Sequence, residues 1–115
     1  MGRLTTHVLD TANGLPAAGI DVALYRVEPR QELARGRTND DGRLDSPILE
    51  GDAMTAGVYE LIFQAGNYFR ARQDDLVEPL FVDEVVLRFG INDGNSHYHV
   101  PLLVSPYSYS TYRGS

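Results

Sequence analysis

Hydrophobic and polar positions alternate along short stretches of this chain, which is the spacing of β-strands that bury one face. The alternation is clearest in residues 20–25, 58–65, 85–91 and 98–104. A helical apolar repeat never extends beyond about two turns. The pattern therefore predicts an all-β chain of short strands.

Turn-forming sequences separate these strands, at Ala12 to Gly14, Asn39 to Gly42 and Asp93 to Asn95. Short strands joined by such turns are typical of a two-sheet antiparallel β-sandwich. Residues 67–75 lack alternation and indicate a short helix or an irregular loop. Because no repeat, linker or low-complexity tract interrupts the pattern, we expect one domain over residues 1–115.

Two features of the last quarter of the chain modify this picture. Pro101 lies inside a predicted strand and has no N–H to donate, so we expect that strand to be an edge strand or to be bulged there. Residues 106–115 alternate tyrosines with small hydroxyl residues, as an ordered edge strand does. This tail is interpreted either as an edge that pairs with a neighbouring chain or as a segment whose Ser115 and free carboxylate also line a site.

The length, the lack of cysteine and the net charge of the chain exclude several classes of function. The 115 residues include no cysteine, which excludes disulfide and thiolate chemistry, and the net charge of -6 gives no basic footprint for nucleic acid. An apolar run near the roughly 20 residues that span a bilayer is missing, so we expect no membrane partner and a cytoplasmic location. Since a domain of this size buries only about two-thirds of its unfolded surface, a functional site is expected at a surface or between subunits.

The three histidines are the main candidates for chemistry. His97 and His99 are two residues apart on a strand and therefore share one face, and His7 shares a face with Thr5 and Leu9. Each is compatible with a structural, half-buried histidine. As a cluster they fit either a zinc site or metal-free acid–base catalysis near neutral pH, and their spacing leaves both open.

Charged residues near the turns add one further candidate. Arg43 follows the Asp41-Gly42 turn, so we expect it to start a strand at the mouth of a hairpin, as a solvated charge or as a planar clamp for an anionic, amide-rich ligand. The acidic pairs at 74–75 and 83–84 are interpreted as solvated loops rather than as a calcium site.

Four segments together carry a family resemblance: residues 4–10 (LTTHVLD), 38–43 (TNDDGR), 97–103 (HYHVPLL) and the closing 112–115 (YRGS). They resemble the signatures of the 5-hydroxyisourate hydrolases in the transthyretin-like family. The resemblance implies a transthyretin-like sandwich of about eight strands with one short helix, assembled as a homotetramer, a dimer of dimers with sites in a channel between dimers. One segment departs from the family pattern, since Phe81 to Glu84 replaces its usual aromatic-Pro-Glu.

The resemblance also implies an activity and a set of site residues. The activity is hydrolysis of 5-hydroxyisourate to 2-oxo-4-hydroxy-4-carboxy-5-ureidoimidazoline in urate breakdown, with no metal or other cofactor. The implied catalytic residues are His7, Arg43 and His99, with His97 in support. Substrate binding would involve His7 and Arg43 together with the closing residues Tyr112, Arg113, Gly114 and Ser115. Two alternatives remain open, a non-enzymatic small-molecule carrier and a zinc-dependent cyclic amidohydrolase using His7, His97 and His99.

Overall fold

The predicted strands form two β-sheets in a computed structural model that describes residues 1–114. The strands are β1 (Arg3–Asp10), β2 (Leu15–Pro16), β3 (Asp21–Arg26), β4 (Gln31–Arg37), β5 (Leu49–Glu50), β6 (Gly57–Phe63), β7 (Val85–Ile91), β8 (His97–Ser105) and β9 (Ser108–Thr111). One helix, α1, spans Ala65–Arg70, and Gly51–Ala53 form a 3-10 turn.

The sheets pack face to face through their apolar sides. The first sheet has the order β2-β1-β8-β9, with β5 also paired to β1, and the second has the order β4-β3-β6-β7. The inward residues follow the predicted alternation and form one cluster between the sheets, including Leu4, Val8, Val22, Leu24, Leu61, Phe63, Val85, Leu87, Tyr98, Val100 and Leu102. The predicted all-β sandwich is confirmed. Within residues 1–114, no helix is long and apolar enough to cross a membrane.

One strand pair departs from the antiparallel arrangement. β1 and β8 run parallel in an unbroken register from Arg3 beside His97 to Asp10 beside Val104. The other paired strands of the described chain are antiparallel. Side chains at opposite positions of β1 and β8 therefore project together from the same face of the first sheet.

The expectation for Pro101 is wrong, because β8 is an inner strand and its register is not shifted. Gly114 N–H donates to the carbonyl of His99 at 2.7 Å, so alternate residues of β8, including Pro101, direct their backbone polar groups toward β9. The last pair of the β8–β9 ladder is Leu102 with Thr111, so Pro101 lies just past the end of β9, where the ladder requires no donor from it. The gap in the hydrogen-bond ladder accommodates the proline without a bulge.

Helix α1 overlaps residues 67–75, the region predicted to be helical or irregular. It begins two residues before that region, at Ala65. Its Tyr68 donates a hydrogen bond to the Asp10 carboxylate at 2.8 Å. Asp10 is almost completely buried and also accepts from the backbone amides of Ala12 and Asn13 and from the Asn13 side chain. One carboxylate thus ties the helix to the end of β1.

The replacement Asp10→Asn is expected to weaken the pH dependence of stability. Burial alone would raise the pKa of Asp10, but hydrogen bonds from Asn13, Tyr68 and Ala12 outweigh it and leave the pKa below its ordinary value. Asp10 therefore stabilises the fold above about pH 4, and this contribution is lost as pH falls through the lower folded-state pKa. At neutral pH the replacement should cost about 1–3 kcal/mol.

Urea unfolding of both proteins between pH 7 and pH 2.5 measures the effect. The wild-type free energy of unfolding should fall more steeply on acidification than that of the variant. Parallel pH profiles would show that Asp10 does not carry this contribution.

Candidate active site

The candidate site lies on the outer face of the first sheet, opposite the core. The Thr5 hydroxyl lies 2.9 Å from His97 Nε2 and 2.8 Å from His99 Nδ1. Thr5 and His99 are directly paired across the two strands, and His97 precedes His99 on the same face. The prediction that His97 and His99 share a face is therefore confirmed, and β1 supplies the hydroxyl between them.

A loop at residues 38–43 docks on the other edge of β1. The Asn39 side chain accepts hydrogen bonds from the backbone amides of Asp41 and Arg43, at 2.9 and 3.2 Å. Gly42 adopts a positive φ of 77°, and a Cβ there would lie 2.3 Å from the Val8 carbonyl oxygen. The loop thus approaches β1 as closely as glycine allows, and Val8 N–H donates to the Gly42 carbonyl at 2.8 Å.

This docking places Arg43 beside His7. The two residues form a single antiparallel bridge, so the expectation that Arg43 starts a strand is wrong. The chain here is crossing from one sheet to the other and soon reaches Pro47, which lacks the N–H that a continued ladder requires.

The same loop fixes the proton on the His7 ring. His7 Nε2 lies 2.7 Å from the carbonyl oxygen of Asp41. Because a carbonyl only accepts, Nε2 carries the hydrogen, and neutral His7 keeps an unprotonated Nδ1.

An open cavity of about 370 Å³ adjoins these groups. Its walls include Arg43, His97 and His99, together with Arg3, Thr5, Thr6 and residues 44–47. His7 is not part of the wall in the single chain. The Arg43 side chain is exposed, and no salt bridge within residues 1–114 engages its guanidinium. The cavity therefore presents planar cationic donors beside two imidazoles.

The electrostatic environment keeps His99 neutral at neutral pH. Burial of its ring is the main cause that lowers the pKa of His99, and the nearby Arg43, His97 and His7 lower it further. A neutral imidazole in an open cavity can accept a proton from water.

The residues of the closing segment, 112–115, do not all lie at the same cavity. Gly114 forms a bridge with His99, and a Cβ at this glycine would lie 2.8 Å from Cδ2 of the imidazole. Tyr112 and Arg113 instead line a second cavity of about 400 Å³, beside β7 and the inward residues of β8. Neither side chain is therefore in the wall of the histidine cavity in the single chain, although the Arg113 guanidinium donates a hydrogen bond to the backbone carbonyl of His97 at 3.3 Å. Ser115 lies outside the described residues.

The histidines are not arranged as metal ligands. Across the described part of the chain, no group of three His, Asp or Glu side chains is placed to hold a metal ion. His97 and His99 both direct a ring nitrogen at Thr5, and His7 directs one at a backbone carbonyl.

Comparison with known proteins gives a consistent set of matches. A family model described as the HIUase/Transthyretin family matches residues 4–114. A protein of Pseudomonas aeruginosa named 5-hydroxyisourate hydrolase is 62% identical over 117 residues, which cover 100% of this chain and 93% of that protein. The structure of a Klebsiella pneumoniae 5-hydroxyisourate hydrolase is 35% identical, covers 100% of both chains and has a TM-score of 0.82.

A third match is to part of a larger chain. A crystal structure of an (S)-allantoin synthase is 48% identical with a TM-score of 0.94, over 99% of this chain. The chain spans only 44% of the length of that synthase chain.

Replacing Arg43 by methionine is expected to raise the pKa of His99 part of the way toward its ordinary value of 6.5. The shift should be partial because burial of the ring, the larger cause, remains. Histidine titration by NMR measures the pKa, with Arg26→Met on the opposite sheet as the matched control. An unchanged His99 titration in Arg43→Met would exclude electrostatic contact between the two groups.

Proposed function

Because the chain belongs to the HIUase/transthyretin family, we propose that it hydrolyses 5-hydroxyisourate to 2-oxo-4-hydroxy-4-carboxy-5-ureidoimidazoline. The observation that carries the proposal is the neutral His99 imidazole beside the exposed Arg43 guanidinium in one open cavity. A general base that activates water and a cationic donor that stabilises the developing oxyanion can together catalyse hydrolysis of a cyclic amide.

His99 acts as the general base in this proposal. Its ring nitrogen takes one proton from a water molecule while the water oxygen bonds to the ring carbonyl carbon. The carbon–nitrogen bond then breaks, His99 returns a proton to the leaving ring nitrogen, and the new carboxylic acid loses its own proton at neutral pH. The overall reaction consumes one water and releases one proton.

Arg43 and His7 complete the catalytic set. The guanidinium of Arg43 binds the ureide oxygens and offsets the negative charge that develops on the attacked carbonyl. His7, whose Nε2 is committed to Asp41, orients water or substrate through its free Nδ1. His97 supports His99 from the solvent side of the site.

The proposed active form is a homotetramer. All four residues of β9 are exposed, and both β9 and β7 are edge strands; Val86 of β7 is an exposed apolar residue. Pairing of these edges with a second copy would cover the cavity lined by Tyr112 and Arg113. Dimers would then join across the open histidine face, so that the closing segment, including Ser115, completes the substrate pocket.

Turnover of freshly generated 5-hydroxyisourate tests the activity and its residues. The wild-type protein should accelerate the loss of substrate above its spontaneous decay. His99→Ala and His7→Ala should lower turnover on the order of 10²–10⁴-fold without lowering Tm, because neither side chain belongs to the core. Arg43→Lys should also lower turnover strongly, since an ammonium lacks the planar pair of donors.

The alternative functions predict different results in the same assay. A carrier would leave the spontaneous decay rate unchanged. A zinc hydrolase would lose activity with a chelator and recover it with zinc, whereas the proposed mechanism predicts activity that the chelator does not alter.

Tyr109→Pro tests the assembly. The register places Tyr109 at a position where its backbone N–H points away from β8, toward the open edge. Proline should therefore remove an intersubunit donor while sparing the β8–β9 ladder. Sedimentation should show a tetramer for the wild type and for Tyr109→Ala, and a smaller species for Tyr109→Pro. A fully active wild-type monomer would contradict a site shared between subunits.

A further inference from the structure

The hydroxyl of Thr5 faces two imidazole nitrogens but has only one proton. It lies within hydrogen-bond distance of both His97 Nε2 and His99 Nδ1. If both nitrogens were unprotonated, the hydroxyl could donate to only one of them and the other contact would be lost. At least one of the two nitrogens therefore carries a hydrogen, and the protonation states of the two rings are linked through Thr5.

We propose that Thr5 is a positioning residue that relays a proton between His99, which faces the substrate, and His97, which faces solvent. The inference rests on the proposed hydrolysis and extends it, since in that reaction the base takes a proton from water and a proton must later return to the leaving nitrogen. His99 is half-buried, whereas His97 is exposed. Their ring centroids are 6.3 Å apart, no hydrogen bond within residues 1–114 joins the two rings directly, and the Thr5 oxygen bonds a nitrogen of each.

One arrangement of hydrogens prepares His99 to act as the base. His99 carries its hydrogen on Nδ1 and donates it to the Thr5 oxygen, and Thr5 donates its own hydrogen to His97 Nε2. The His99 Nε2 lone pair is then available for the attacking water. The neutral side chain of a free histidine prefers the hydrogen on Nε2, so Thr5 holds His99 in the less favoured tautomer that catalysis requires.

The relay conserves protons at each step. His99 Nε2 takes a proton from the attacking water and the ring becomes cationic. The Nδ1 hydrogen passes to the Thr5 oxygen while the Thr5 hydroxyl hydrogen passes to His97 Nε2. His97 then releases its Nδ1 hydrogen to solvent. When the carbon–nitrogen bond breaks, the path runs in reverse: His97 Nδ1 takes a proton from solvent, the hydrogens shift back through Thr5, and His99 Nε2 gives its proton to the leaving ring nitrogen. Both rings are then back in their resting tautomers.

Solvation favours this outward direction, because cationic side chains lie near both rings. Arg43 lies in the cavity wall and opposes a cation on His99, as His7 does from β1. Near His97, Arg3 is opposite on β1 and the Arg113 guanidinium donates to the His97 carbonyl at 3.3 Å, while Asp45 is the carboxylate in the cavity wall. A cation on exposed His97 is better solvated than one on half-buried His99. The proton is therefore driven away from the substrate.

Thr5→Val and Thr5→Ser test the relay. Valine keeps the branched shape that suits a strand but removes the hydroxyl, while serine retains it. For Thr5→Val we expect a fall in kcat on the order of ten-fold or more with little change in KM, less than the 10²–10⁴-fold contribution of the base itself. Thr5→Ser should recover most of the rate. Thr11→Val is the matched control, because its hydroxyl bonds only the Val104 carbonyl at the far end of the same strand pair.

Nitrogen-15 NMR of the resting protein supplies a readout that does not depend on activity. Wild type and Thr5→Ser should show His99 protonated at Nδ1 at neutral pH, and Thr5→Val should shift it to the Nε2 form. The solvent deuterium isotope effect on kcat should also change in Thr5→Val. Thermal melting separates these effects from loss of fold.

Different outcomes distinguish a failed relay from a failed function. Wild-type kcat and pH profile in Thr5→Val, or an Nε2 tautomer of His99 in the wild type, would overturn the relay. A kcat loss that serine does not rescue would also overturn it and assign Thr5 a purely structural role. If the wild type did not hydrolyse 5-hydroxyisourate, the proposed function would fail, whereas the tautomer measurement would still show whether Thr5 couples the two rings.

Discussion

The parallel pairing of β1 with β8 is the constraint on which the site depends. It joins segments more than ninety residues apart and places Thr5 directly beside His99. The unbroken register leaves no freedom to slide, because a shift of one residue would turn every side chain of β1 to the other face of the sheet. The same register that buries Leu4 and Val8 in the core therefore holds the hydroxyl between the two imidazoles.

Each edge of β1 has a distinct role. On one edge β8 supplies His97 and His99, and on the other edge the loop containing Asn39 and Gly42 supplies Arg43. The site is thus built mostly from backbone-anchored positions rather than from mobile surface side chains. Rigid placement of this kind reduces the entropy lost when a substrate is bound and oriented.

Periodicity along the chain accounts for much of the fold and part of the site. Alternation was sufficient to predict β3, β6, β7 and β8, and to place His97 and His99 on one face, because most residues on the inward side of those strands are buried. It did not identify β4, whose residues are exposed or half-buried on both sides at the edge of the second sheet. An edge strand that buries neither face leaves no period of two in the sequence.

Contacts between distant segments could not be predicted in the same way. Pro101 indicated that its strand lacks one backbone donor. Where that gap falls depends on the point at which β9 ends, and this is set by the register of the β8–β9 hairpin rather than by either strand alone. Arg43 followed a recognisable turn, yet its single bridge to His7 arises from the close approach at Gly42. Thr5 carried no signal of its own, since its importance depends on which strand lies beside it.

The long sequence separation across the β1–β8 pair also has a kinetic consequence. Contacts between residues so far apart carry a large loop-closure cost and form late in folding. During synthesis β1 emerges first, and only its edge facing β2, β5 and the Arg43 loop can be covered before β8 leaves the ribosome. The nascent chain thus carries an open, half-apolar strand until β8 has been synthesised, a stage at which chaperone binding would protect it from pairing with another chain.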